Sequence, residues 1–120
     1  MLVLAYIFLL HWIGDFVCQN TWMALNKSVS KTALTAHVFM YTLTLAVGIS
    51  MLTLVTGEMI FAFSVINFIC HWITDSLTSQ GTKYFREKND THNFFVVIGF
   101  DQLIHQITLM ITAITILGVK

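Results

Sequence analysis

Three pairs of ionisable residues stand inside apolar sequence at one spacing: His11 and Asp15 in "HWIGD", His71 and Asp75 in "HWITD", and, reversed, Asp101 and His105 in "DQLIH". Residues four apart lie on one face of a helix, so each pair presents an imidazole and a carboxylate in a single direction. A further apolar run contributes His37. Bundle cores that draw a carboxylate and a histidine from facing helices are an established way to hold metal ions. Mixed nitrogen and oxygen ligation suits a divalent first-row metal (Zn, Mn, Fe or Co) and speaks against Ca or Cu(I). The candidate ligands are therefore His11, Asp15, His37, His71, Asp75, Asp101 and His105. None is singled out as catalytic.

The elements that must position these groups follow from composition. Of 120 residues, 57% are apolar and only 10% are charged, the formal net charge is zero, and mean hydropathy is +0.79. Apolar stretches of bilayer-spanning length occur at about residues 2–19, 33–56, 58–79 and 93–119, which leaves almost no sequence for a soluble domain. In lipid every backbone polar group must be satisfied within its own segment, so these runs become helices. The expected fold is an all-α membrane protein, one domain over residues 1–120, built as a four-transmembrane-helix bundle. The first run has no basic residue before it and no small-residue cleavage site after it, so it is expected to remain in the chain. Cys18 and Cys70 both fall inside apolar runs and read first as small packed side chains. The balanced charge offers no basic excess of the kind a nucleic-acid binder needs.

Between the runs lie a connection from Asn20 to Thr32, a tight turn at residues 56–58, and a polar stretch from Gly81 to Asn93. Lys27, Lys31, Lys83, Arg86 and Lys88 fall in the first and third connections. Positive residues mark the cytoplasmic side, so connections 1–2 and 3–4 are expected there, with both termini and the Gly57 turn outside. The segment "KYFREK" is expected to lie along the headgroups. Runs one and three then point the same way, and the repeated His-x-x-x-Asp phrase suggests two helical hairpins related by an axis along the membrane normal. Counted from the cytoplasmic ends, Asp15, Asp75 and His37 lie roughly 8 Å deep, Asp101 about 12 Å, His11 and His71 about 14 Å and His105 about 18 Å. All seven share one slab. A charge at the bilayer centre costs about 2.5–3.5 kcal/mol even on translocon scales, so three carboxylates there require compensation or a cation.

Gln19, Tyr41, Asn67 and Gln102 border the slab or continue its faces; they read first as interhelical hydrogen-bond partners and second as groups that orient ligands. His37 alone would read the same way. The polar residues in order, His11-x-x-x-Asp15-Phe16-x-x-Gln19, Trp22, Lys27, His37, His71-x-x-Thr74-Asp75 and Asp101-Gln102-x-x-His105, resemble a family over nearly the whole chain. It is the group of small bacterial and phage inner-membrane proteins called domain of unknown function 3307. Two places depart from the family pattern: Asn20 stands where a proline is common after the glutamine, and Thr78 where a lysine is common three residues after the second aspartate. More distantly, the chain resembles membrane-bound metal-dependent hydrolases with His/Asp helices. The resemblance implies an architecture and a residue set, not a reaction.

Three function classes fit these residues. One is a membrane-embedded metal-dependent hydrolase working from the cytoplasmic leaflet. A second is a structural or interaction protein, such as a phage effector, in which a metal or hydrogen-bond network ties the helices and the activity lies in a partner. The third, a metal-ion or proton carrier, would need polar residues continuing to the outer leaflet, where the sequence offers mainly Thr44, Ser50, Thr112 and Thr115. The expected partners are membrane lipid and either a second copy of the chain or another membrane protein, although the GxxxG spacing that supports helix pairing is absent.

Overall fold

The structure, a computed structural model, describes residues 1–53 and 55–120. Every regular element in it is helical. Helix α1 spans Leu2–Trp12 and continues as a wider turn over Ile13–Val17; α2 is Thr21–Asn26, α3 Lys31–Ser50, α4 Gly57–Glu87 and α5 Thr91–Thr115. The ends are set by side-chain caps. Asn20 accepts from the Met23 amide, Ser30 from Ala33, Thr56 from Met59 and Asp90 from Asn93, each satisfying one of the orphan N–H groups of a first turn.

Helices α3, α4 and α5 are long and apolar enough to cross a membrane, whereas the apolar helical segment Leu2–Val17 is shorter. At 1.5 Å per residue that segment rises about 24 Å, against a hydrocarbon core of about 30 Å. Boundaries differ most from the sequence expectation in three places. The second run ends as a helix at Ser50, before the expected residue 56; position 54 lies outside the described residues. The first connection, given from Asn20 to Thr32 without an element of its own, contains a short helix, α2. The polar stretch from Gly81 is largely helical, because α4 runs unbroken to Glu87 and only Lys88–Asp90 link it to α5. Polarity alone does not stop a helix. Lys, Arg and Glu are good helix formers, and with no proline present, α4 ends only where Asn89 takes a left-handed φ of 55°.

The long helices pack as a ring, α1 on α3, α3 on α4, α4 on α5 and α5 back on α1, which places α1 diagonally across from α4. The N-terminal ammonium donates to the Lys120 carbonyl at 3.2 Å, so both ends of the chain meet. Buried positions recur at four-residue intervals: Ile7, His11, Asp15 on α1; His37, Tyr41, Leu45, Ile49 on α3; Phe63, Asn67, His71, Asp75, Ser79 on α4; Asp101, His105, Leu109, Ala113 on α5. Such a stripe follows the i±4 ridge, inclined about 26° to the helix axis. Each stripe is apolar toward the end with the termini and polar toward the other, so an apolar plug of Ile7, Leu45, Ile49, Phe63, Leu109 and Ala113 fills one half of the bundle. The polar groups fill the other half. The outer faces carry exposed Leu9, Phe39, Phe61, Ile73, Leu103 and Ile111, the surface expected of a multi-span helical membrane protein.

Candidate metal centre

Asp15 sits in the wide turn that ends α1, where the Cys18 N–H reaches back five residues to the Ile13 carbonyl at 2.9 Å. Such π turns recur at functional sites because the extra residue re-aims a side chain. Gly14 makes the approach of α1 to α3 possible: a Cβ there would lie 3.2 Å from the Tyr41 Cα and 3.3 Å from its carbonyl oxygen. The second copy of the phrase faces no such constraint and carries Thr74, whose hydroxyl donates to the Cys70 carbonyl of its own helix.

Asp15, His37, His71 and Asp75 each bring one ligand atom into a buried group whose atoms all lie within 4.8 Å of one another, and Asp75, Asp101 and His105 form a second such group. Asp75 belongs to both. The His37 Nε2 lies 3.1 Å from Asp15 Oδ1, 3.3 Å from Asp75 Oδ2 and 3.3 Å from the His71 Nε2. The His71 Nε2 lies 3.4 Å from both Asp15 Oδ1 and Asp75 Oδ1. Two imidazole nitrogens facing each other require either a proton on one of them or a shared cation for both lone pairs. Around a metal with bonds of 2.0–2.1 Å, tetrahedral ligand atoms stand about 3.3–3.4 Å apart; most of these separations lie in that range, the His37–Asp15 one is shorter, and Asp75 turns a different oxygen to each imidazole, so the donor set suits such an ion in chemistry and approximate spacing. In the second group the His105 Nε2 lies 3.0 Å from Asp75 Oδ1 and 3.4 Å from Asp101 Oδ1. The His71 and His105 rings stack with centroids 3.9 Å apart.

Six of the seven expected ligands thus converge, while His11 stands apart. Its Nε2 donates to Gln102 Oε1 at 2.9 Å, and its Nδ1 is buried without a hydrogen-bond partner. The same Gln102 amide donates to Asp15 Oδ2 at 2.7 Å and Asp101 Oδ2 at 3.1 Å, bracing two carboxylates against each other. The Tyr41 ring packs on that of His71 at 3.9 Å between centroids. Asn67 lies one turn away in the apolar half, donating to the Phe63 carbonyl and to Thr112 Oγ1. Gln19 lines a cavity beside the centre, its Oε1 buried without a partner.

Two contacts were not anticipated from the residue pattern. Lys27, at the end of α2, donates to Asp75 Oδ2 at 2.7 Å. Burial pushes its ammonium pKa down, but Asp75, reinforced by Asp15 and Asp101, pushes it up, and the net direction is upward. Thr78 donates to Asp101 Oδ1 at 2.6 Å. With the imidazoles neutral, three carboxylates and one ammonium leave two negative charges, which one divalent cation cancels.

Residues 3–120 match the family described as protein of unknown function (DUF3307). The chain belongs to that family. No curated protein matches it, and no solved structure does. In this DUF3307 chain Thr78 contacts Asp101 of the centre, and Asn20 caps the short helix that delivers Lys27.

Proposed function

We propose that the chain crosses the bacterial inner membrane four times and uses its buried His/Asp groups to hold a divalent first-row metal near the cytoplasmic face, acting as a metal-dependent hydrolase. The observation that carries this reading is the convergence of one ligand atom each from His37, His71, Asp15 and Asp75 within 4.8 Å of one another, the imidazole–carboxylate contacts at 3.1–3.4 Å, inside a layer where uncompensated charge is costly. Asp15, His37, His71 and Asp75 hold the ion; when bound, it supplies Lewis acidity toward a substrate oxygen and toward water. Asp101 and His105 are the groups left to move a proton. His105 bridges two carboxylates through one nitrogen, and Asp101, fixed by Thr78 and Gln102, borders the neighbouring cavity. The apolar plug in the opposite half supports a site reached from one side over a carrier with a path through the bundle.

Chain purified in a neutral detergent should contain close to one first-row metal per molecule by elemental analysis. Asp15→Asn and Asp75→Asn should each lower metal affinity by at least about tenfold, the loss that even outlying ligand-orienting groups produce. Metal-free wild type, with both variants folding as well as it does, would overturn the reading. A second reading, a fixed network that only ties the helices, is favoured by the Lys27–Asp75 pair, which compensates one carboxylate without a metal. Chelation separates the two: a structural ion leaves an unfolded chain when removed, a catalytic one a folded and inactive bundle.

A further inference from the structure

A cavity of about 190 Å³ adjoins the centre on the side of the basic connections. Its innermost lining is Asp15, Asp101 and Gln102, two of them buried carboxylate residues, and its outermost is the exposed Arg86. At about 30 Å³ per water it has room for about six waters, or for a phosphate group and the first atoms of its ester. Between the two ends stand donors from separate elements: the Lys27 ammonium from α2, the Ser79 hydroxyl from α4 and the Gln19 amide from the segment after α1.

Besides Gln19, whose Oε1 is buried without a partner, two lining groups are left without one inside the protein. Ser79 is 5% exposed, and its Oγ makes no hydrogen bond. A buried hydroxyl without a partner destabilises the free protein and marks a place where something in the cavity completes it. Among the described residues the Lys and Arg ion pairs are Lys27–Asp75 and Lys83–Glu87, which leaves Arg86 at the cavity with no carboxylate. The charge is graded along the cavity, with carboxylates on the inside for a cation and cations with free N–H and O–H groups farther out.

An anion held at the outer groups would reach the cation held at the inner ones. A carboxylate has two oxygens for these donors, whereas a phosphate monoester has three. The guanidinium fork of Arg86 also matches phosphate geometry with two parallel N–H donors. We propose that the cavity binds the phosphate group of a phosphate ester, and that the hydrolysis assigned to this centre is of the P–O bond; this rests on the metal reading above, since the inner carboxylates would otherwise repel the anion. The water oxygen forms its bond to phosphorus as the bond to the alcohol oxygen breaks. The proton lost by water ends on the alcohol, with Asp101 placed at the cavity to hold it in transit. No oxidant or reductant is needed. Phe16, Phe94 and Ile98 give the cavity an apolar wall suited to a lipid headgroup, while the exposed Arg86 end suits a soluble ester.

The test is calorimetric titration of the full metal-loaded chain in alkyl maltoside micelles with inorganic phosphate and with dihexanoyl phosphatidic acid. Acetate and hexanoate serve as carboxylate controls, and metal content is measured on the same samples. Phosphate probes should bind and carboxylates should not, and Arg86→Gln and Ser79→Ala should each weaken binding about tenfold. Ser79→Ala removes no hydrogen bond from the free protein and should fold as wild type does. Markedly tighter binding of the phosphatidic acid assigns the site to a lipid headgroup, and equal binding assigns it to a soluble ester. Samples that retain metal yet bind no phosphate, or bind it equally in both variants, overturn the inference while leaving the metal centre standing. Samples without metal overturn the metal reading, and the inference that rests on it falls as well.

Discussion

Lys27 comes from a connection, yet its ammonium reaches a carboxylate that is only 1% exposed. Breaking a buried pair by removing one partner costs about 3–5 kcal/mol, because the remaining charge is stranded. The Lys27 side chain keeps 21% exposure, which puts the expected loss at the lower end. Lys27→Met preserves the aliphatic stem and should destabilise the metal-free chain by about 3 kcal/mol, read as a lowered midpoint of thermal unfolding in detergent. An unchanged midpoint would mean that Asp75 is compensated elsewhere. The His/Asp pairs were legible in the sequence because i,i+4 spacing fixes a shared face before any tertiary structure is known. Lys27 was legible as a positive loop residue and as one place in the family pattern but not as the partner of Asp75, since that contact spans 48 positions and depends on α2 folding back. His11 shows the converse: spacing puts it on the same face as Asp15, but the partner of its Nε2, Gln102, is distant in sequence and was not legible from that spacing.

At the scale of the element, hydropathy located the runs, and their ends were set by chemistry that hydropathy does not contain. Helix α4 passes through the polar stretch from Gly81 because helix formers need no apolar face near water, and that extension carries Thr82 and Arg86 to the cavity. The wide turn at Ile13–Val17 follows no hydrophobic period, and Gly14 was its only local sign. Capping side chains do leave a readable trace, and Asp90 tests one of them. The Asn93 side chain donates to Asp90 Oδ2 at 2.7 Å and its backbone N–H to Oδ1 at 3.0 Å, and together they hold the Asp90 carboxyl below its ordinary pKa. A depressed carboxyl stabilises the folded state fully above its unfolded pKa, about 3.9, and loses that contribution as pH falls through the lower folded value. Amide exchange at the start of α5 should therefore be slow and pH-independent, after correction for intrinsic rates, from about pH 7 down to about pH 5. Protection should then decline under more acidic conditions, and Asp90→Ala should show weakened protection throughout with no acid-dependent step. If wild type and variant lost protection in parallel on acidification, the cap would not be the titrating group.

Across the whole molecule, charge and polarity are sorted along one axis. Five of the six Lys and Arg residues, Lys27, Lys31, Lys83, Arg86 and Lys88, belong to the elements at the end of the bundle that holds the His/Asp groups. The opposite end has Glu58, the two termini and the apolar plug. Because basic residues in short connections favour the cytoplasmic side, this sorting predicts both the insertion of the chain and the side from which its cavity is reached. The short segment Leu2–Val17 fits the same picture. A helix rising only about 24 Å ends inside the polar half, where Gln19 and α2 complete a wall of the cavity. In a chain freed of its own thiols by Cys18→Ala and Cys70→Ala, Glu58→Cys should react with a membrane-impermeant maleimide on cells whose outer membrane has been permeabilised. Lys88→Cys should react only after the inner membrane is broken. The reverse labelling pattern would turn the centre toward the periplasm, and any substrate of the cavity would then have to be sought in the outer leaflet or the periplasm.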